Sequence, residues 1–352
     1  MKIGIMTFHW ATNYGAILQT YALSKVLEDS GHDVSIINYY PKKYKNTFIK
    51  VFLSHRPDKI FKRLKLLKKE NKLSAFREKY LNTTEYINSS KKLKEAKFGY
   101  DCYICGSDQI WNPSFVRHAE RGLTLSYFLD FVPEDALKIS YAASFGVQNY
   151  PEELKAAIKE NLNTFDGISV REKTGLDILK DIEIFNAELL PDPTILLDAS
   201  VYKNLLNAPK RTEKYDFVYM LHGRENDAKP LLEKRKAEGV VDIHSTIDSI
   251  EDWLTEIYGA DLVITNSFHG IVFSILFEKN FAPVLIKGSG MNDRIITLLD
   301  YLGLSDRICE NIETFKNNPI DWQKVNKRLE DYRSLGHSYL NRVLRKKEEN
   351  KI

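Results

Sequence analysis

Short apolar, often β-branched runs recur along the chain, each followed by a small polar turn and then by apolar residues at helical spacing. Ile3 to Phe8 predicts a first strand, and Thr12 to Gly15 a loop that opens a helix. Ala16, Leu18, Tyr21, Ala22 and Val26 form the apolar face of that helix, which Gly31 stops. Val34 to Asn38 reads as the second strand, Tyr100 to Cys105 as the next, then Lys138 to Ser144 and Ile168 to Val170. A second series follows Leu189-Leu190-Pro191-Asp192-Pro193-Thr194, whose prolines suggest a crossing between domains: Phe217 to Leu221, Val240 to His244, Leu262 to Thr265 and Ala282 to Ile286. Strands alternating with helices predict an α/β class built on two parallel sheets.

Asp261 to Glu278 is the most informative stretch. The strand Leu262-Val263-Ile264 runs into Thr265-Asn266-Ser267, residues that cap helices, and Gly270 onward suits a buried helix. Ligands bind beyond the carboxyl ends of strands in open α/β sheets, and a following helix offers N–H groups to an anion. His269 stands at that junction, either packed against the turn or available for chemistry. Gly106-Ser107-Asp108-Gln109-Ile110-Trp111-Asn112 makes a comparable strand-end loop, where Asp108 reads as a base, a hydroxyl anchor or a helix cap. Arg171 ends another strand, with a guanidinium suited to a carboxylate or phosphate or to a neighbouring acid. The opening strand, loop and helix suit a phosphate, but without a full G-x-G-x-x-G no dinucleotide is implied.

A length of 352 residues suits two domains, here 1–200 and 201–315, followed by a helical tail over 316–352. A formal charge of +3 gives no reason to expect nucleic acid. The exception is local: in 41–72, Lys and Arg are dense and Ile60, Phe61, Leu64 and Leu67 share one helical face. Such a basic amphipathic insert either docks on its own domain or touches an anionic membrane surface. No charged and apolar secretory leader opens the chain, and no uncharged apolar run reaches the roughly 18–20 residues that span a bilayer. The expected location is cytoplasmic, or peripheral at the inner membrane face. Cys102 and Cys105 lie three apart on a strand, facing opposite ways, and Cys309 is isolated, so neither a zinc site nor a disulfide framework is expected.

The segment Asn13 to Leu23, the loop Gly106 to Asn112, Ser-Val-Arg-Glu at 169–172, Asp-Pro-Thr-Ile-Leu-Leu at 192–197 and Asn-Ser-Phe-His-Gly at 266–270 together resemble the polysaccharide pyruvyl transferase family, over residues 1 to about 310. The resemblance implies two Rossmann-like domains facing across a cleft, as in the GT-B glycosyltransferases. It also implies transfer of a pyruvyl group from phosphoenolpyruvate to a sugar acceptor, free or lipid-linked, of a cell-surface polysaccharide or its precursor, as a pyruvate ketal. No cofactor or metal is expected beyond that donor. His269 is the implied general acid or phosphate ligand and Asp108 a base or acceptor anchor. Substrate-binding residues would be Asn13, Tyr14, Gly15, Ser107, Trp111, Arg171, Asn266, Ser267, Gly270 and Arg294. Tyr14, Trp111 and Phe115 are the rings suited to stacking on a sugar. Family members often carry an arginine where this chain has Ser267, and Arg294 is the replacement the sequence offers. Two rival readings share the fold: a nucleotide-sugar glycosyltransferase recruiting Glu278 and Lys279, and a non-catalytic carbohydrate-binding relative.

Overall fold

The central apolar runs form strands because their side chains are covered on both faces, the condition under which parallel sheets are stable. In a computed structural model, the structure describes residues 1–45, 60–120, 122–209, 211, 213–244, 249–309 and 311–349. The chain divides into two compact units. Unit 1 comprises Met1–Leu196 and the chain from Arg333 onward, and unit 2 is Leu197–Tyr332.

In unit 1, β1 (Lys2–Met6), β2 (Asp33–Ile36), β3 (Cys102–Cys105) and β4 (Leu137–Ser140) form one parallel sheet in the order β2-β1-β3-β4. Ile3 pairs with Val34, Ile5 with Ile104, and Ile104 with Ile139, so branched side chains stack across the middle of the sheet. A further parallel pair, β5 (Ser169–Val170) and β6 (Glu188–Leu189), continues from β4 through single bridges such as Ala143 to Val170. β6 has no alternating pattern of its own and was not expected from sequence. The helix Tyr14–Asp29 is buried along most of its length, capped by the Asn13 side chain and covered by the short helix Pro193–Leu196 and by the helix Ile60–Tyr80. Asp192-Pro193-Thr194 is therefore a helix start inside unit 1 and not a crossing between domains. The chain passes from one unit to the other after Leu196.

The helix Ile60–Tyr80 departs from the apolar face expected for it. Leu64 and Leu67 are 55% and 38% exposed, whereas Leu73 and Phe76 are buried, Phe76 against the ring of Tyr21. Its docking is carried by the second half of the helix, where apolar residues outlast the run of lysines. Residues 46–59 of the basic insert lie outside the described residues.

Unit 2 holds β7 (Tyr215–Tyr219), β8 (Val241–His244), β9 (Leu262–Thr265) and β10 (Asn280–Pro283), all parallel, in the order β10-β9-β7-β8. One face packs Val218, Ile264, Ala282 and Val284 against Leu231, Leu232 and Phe315. Elsewhere in the unit the rings of Tyr219, Trp253, Phe273 and Tyr202 meet edge to face. β7 and β10 each start two residues before the apolar run predicts. The long helix Trp322–Glu349 spans the junction at Tyr332 and Arg333, so the expected separate tail is shared between the units.

Candidate active site

Both units place their polar loops at the carboxyl ends of their strands, and the two sets are built differently. In unit 1 the centre is Arg171, 2% exposed at the exit of β5. Its Nη1 donates to Asp192 Oδ2 at 2.5 Å, and its Nη2 lies 3.8 Å from Asp108 Oδ1. Burial works against its charge, but the carboxylates of Asp192, Asp108 and Glu172 outweigh that and hold the guanidinium above its usual pKa. Asp192 also accepts from Ser107 Oγ at 3.1 Å, from Thr194 N at 3.0 Å and from Thr194 Oγ1 at 2.6 Å. Asp-Pro-Thr is thus a side-chain turn that starts the helix Pro193–Leu196 and pairs the buried arginine.

The Gly-Ser-Asp-Gln loop follows from this network. Ser107 is wholly buried, its hydroxyl given to Asp192 and its carbonyl accepting from Thr7 Oγ1 at 2.9 Å. Asp108 adopts a positive φ of 79°, which Asp tolerates because its carboxylate bonds locally, here to Gln109 N at 2.9 Å. Its side chain stays 19% exposed. Gln109 packs over Gly146, whose φ of 64° favours glycine. Glu172 accepts from Phe145 N and Gly146 N at 2.9 and 3.4 Å. Asp192 and Glu172 lay in the quoted motifs without an assigned role, and their roles emerge only from these partners.

Of the expected substrate-binding residues in unit 1, all but Asn13 are buried. Arg171 is engaged by Asp192 and Asp108 and faces no solvent, so it is not placed as a direct donor ligand. Trp111 is fully buried, stacked on Phe128 at 5.2 Å with its indole N–H on Tyr127 O at 3.1 Å, and no ring face remains for a sugar. Tyr14 is likewise buried, with Lys69 Nζ 4.0 Å over its ring, and Gly15 lies buried in the same helical turn. Asn13 remains half-buried at the cap, and Phe115 half-buried beside Phe8 at 4.3 Å.

In unit 2 the carboxyl edge is held by neutral groups. Thr265 Oγ1 donates to Tyr219 O at 2.5 Å and accepts from Ser267 N at 3.0 Å. Asn266 clamps the exit of β7 from both sides, accepting from Leu221 N at 2.7 Å and donating to Leu221 O at 3.1 Å. Ser267 caps the helix Phe268–Leu276, its hydroxyl accepting from Gly270 N at 3.2 Å. An arginine could not cap in this way, which gives Ser267 a local structural reason. Gly270 sits so close to Thr265 that a Cβ would lie 2.8 Å from Oγ1. His269 is 6% exposed in the first turn, its ring edge-on to Phe268 at 5.1 Å. On the same Phe268 ring rests the Arg294 guanidinium, 5.7 Å from the centroid, with Nε 3.4 Å from Met291 O. Arg294 follows a loop closed by Asn292, which accepts from Ile286 N at 2.9 Å and donates to Ile286 O at 2.7 Å. Glu278 and Lys279, by contrast, precede β10 at the amino edge of the sheet, and Glu278 bonds Asn326.

Among the described residues, no three His, Cys, Asp or Glu side chains group so as to hold a metal ion, and no helix is long and apolar enough to cross a membrane.

Two Rossmann-like α/β units, each with motif residues at its strand ends, define an architecture in which ligands bind beyond the carboxyl ends of the strands. The polysaccharide pyruvyl transferase family model matches residues 13–288, and the chain belongs to that family. The family is one of transferases. None of the curated proteins matches the chain. Among solved structures it is similar to the MnaA–UDP complex of S. aureus, with 12% identity, 94% of this chain and 87% of that one covered, and a TM-score of 0.47. It is also similar to the UDP-GlcNAc 2-epimerase of Neisseria meningitidis bound to UDP-GlcNAc, with 8% identity, 94% and 99% coverage and a TM-score of 0.42. The UDP-GlcNAc 2-epimerase of Methanocaldococcus jannaschii gives 12% identity, 94% and 92% coverage and 0.43.

Proposed function

We propose that this chain transfers the pyruvyl group of phosphoenolpyruvate to two hydroxyls of a sugar in a cell-surface polysaccharide or its precursor, releasing phosphate. The observation that carries the reading is the grouping of His269 and Arg294 around Phe268, at the carboxyl edge of the unit 2 sheet and the start of a helix. Membership of the polysaccharide pyruvyl transferase family supports that reading.

In the proposed reaction His269 gives a proton to the methylene carbon of the donor, which becomes a methyl group and leaves the central carbon electrophilic. A sugar hydroxyl bonds to that carbon as a base takes its proton. A second hydroxyl bonds there in turn and passes its proton to the departing phosphate, as the carbon–oxygen bond to phosphate breaks and its electron pair leaves with the phosphate. Arg294 and the N–H groups at the helix start suit the donor's carboxylate and phosphate charges. Asp108, the partly exposed carboxylate of the unit 1 network, is the proposed base or acceptor anchor. For a lipid-linked acceptor, exposed Leu64 and Leu67 on a lysine-rich helix suit contact with an anionic membrane surface.

The test is mass spectrometry of acceptor glycans incubated with phosphoenolpyruvate, read for addition of one pyruvate ketal together with phosphate release. Product that persists undiminished in His269→Gln removes the acid assignment. Donor affinity by calorimetry that is unchanged in Arg294→Gln removes the arginine.

A further inference from the structure

Trp111 and Tyr14 are buried, but unit 1 holds a second set of rings at the carboxyl ends of β1 and β2. Trp10 is half-buried and stacks on Tyr40 at 4.3 Å and 9°, and on Tyr44 at 5.5 Å and 21°. Tyr44 continues to Phe115 at 5.5 Å, and all four rings retain partial exposure. The wall is fixed from behind. The Trp10 indole N–H donates to Tyr127 OH at 3.3 Å, and Phe8 packs against Trp10, Phe115 and Tyr127 at 5.5, 4.3 and 4.8 Å. The backbone N–H of Tyr40 is tied to Ile87 O at 2.9 Å.

Polar groups border these rings. Glu70, from the helix Ile60–Tyr80, accepts from Thr12 Oγ1 at 2.6 Å and from Arg77 Nη2. It lies close enough to Tyr40 that, after burial, its charge is the main reason the phenol is pushed up to about 12. Arg77 Nη1 is buried with no hydrogen-bond partner among the described residues, while the Glu70 and Arg77 side chains keep 21% and 12% exposure beside the rings.

We propose that Trp10, Tyr40, Tyr44 and Phe115, with Glu70 and Arg77 at their border, bind a pyranose ring of the acceptor. The apolar face of a pyranose lies against half-exposed aromatic rings, while a carboxylate and a guanidinium pair its equatorial hydroxyls. A nucleotide phosphate is disfavoured here because Glu70 already takes the Arg77 charge. The inference rests on the acceptor being a sugar, as in the proposed function, but not on the donor or the ketal chemistry.

The experiment is saturation-transfer NMR on the full chain with methyl β-glucopyranoside, methyl β-galactopyranoside and methyl β-mannopyranoside. Wild-type protein is expected to saturate the ring protons of at least one of them. Trp10→Ala or Tyr44→Ser should lower that signal roughly tenfold, the upper end of what one aromatic contact contributes. Tyr44→Ser serves as the second variant because Tyr44 lies at the rim, and circular dichroism confirms folding of each. No transfer to any of the three pyranosides, or transfer undiminished in both folded variants, overturns the site. Sugar binding lost in these variants while phosphoenolpyruvate yields no ketal with wild type would instead reject the proposed chemistry and leave the sugar site standing.

Discussion

The strand-end loops of the two units solve the same problem with opposite materials. In unit 1 the loops are knitted by charge: Arg171 is sunk between Asp192 and Asp108, and Asp192 organises Ser107 and Thr194 around itself. In unit 2 the equivalent edge is knitted by Thr265, Asn266 and Ser267, all neutral, and the basic side chains His269 and Arg294 meet at Phe268. A guanidinium in a motif is therefore not by itself a ligand for a charged donor. What matters is whether a carboxylate has already been built beside it.

Removing the buried cation should break this contrast most severely. Arg171→Gln leaves Asp192 as an uncompensated buried charge and is expected to cost about 3–5 kcal/mol in urea or thermal unfolding, with donor affinity in the protein that still folds unchanged by calorimetry. A small stability change with a large loss of donor affinity would reverse the roles assigned to the two edges. Next, His269→Gln should lower phosphate release with the true acceptor by roughly 100-fold or more, about 3 kcal/mol of transition-state stabilisation. The same variant should unfold close to wild type, because neutral capping groups hold that edge.

A buried histidine sharpens the comparison through pH. His9 in unit 1 is lowered from 6.5 to about 4, by burial first, with bonds to Asn38 Oδ1 at 3.1 Å and Thr7 O at 3.2 Å opposing the shift. Between pH 6.5 and about 4 the unfolded chain holds a proton that folded His9 refuses. Stability therefore falls as pH drops through that window, by up to about 3 kcal/mol. Unfolding measured across it should show a shallower slope in His9→Gln, and an identical slope would discard the account. The smallest effect belongs to the cap. Ser267→Ala is expected to cost about 1 kcal/mol, while Ser267→Asn should retain most of it.

Much of this architecture could be read from apolar spacing. β9 was expected at Leu262 to Thr265 and lies there, because an uninterrupted branched run bounded by an acid and a cap admits few alternatives. β6 was missed because two residues carry no pattern, and its place is set by pairing with β5. The site was legible as loops but less so as roles. Ser267 looked like a lost arginine until its hydroxyl was found on Gly270 N. Trp111 looked like a platform, yet a tryptophan beside a turn buries as readily as it protrudes, and only Phe128 and Tyr127 decide which. Of the wall around Trp10 only Phe115 stood out in the sequence, because the rings come from 10, 40, 44 and 115, positions that nothing local ties together.

The helix Trp322–Glu349 carries one more consequence, for the order of synthesis. Unit 2 is an interruption within unit 1, whose final piece begins only at Arg333. That piece supplies buried Tyr339 and Val343, with Tyr339 OH donating to Ser140 O at 2.9 Å at the end of β4 and Arg333 Nε donating to Ile195 O at 2.9 Å. As the chain leaves the ribosome, unit 2 is complete before unit 1 receives its last helical turns. The half of the protein that is made first is thus the half that finishes last, and a message cut short after Tyr332 would strand the N-terminal unit without the segment that closes it.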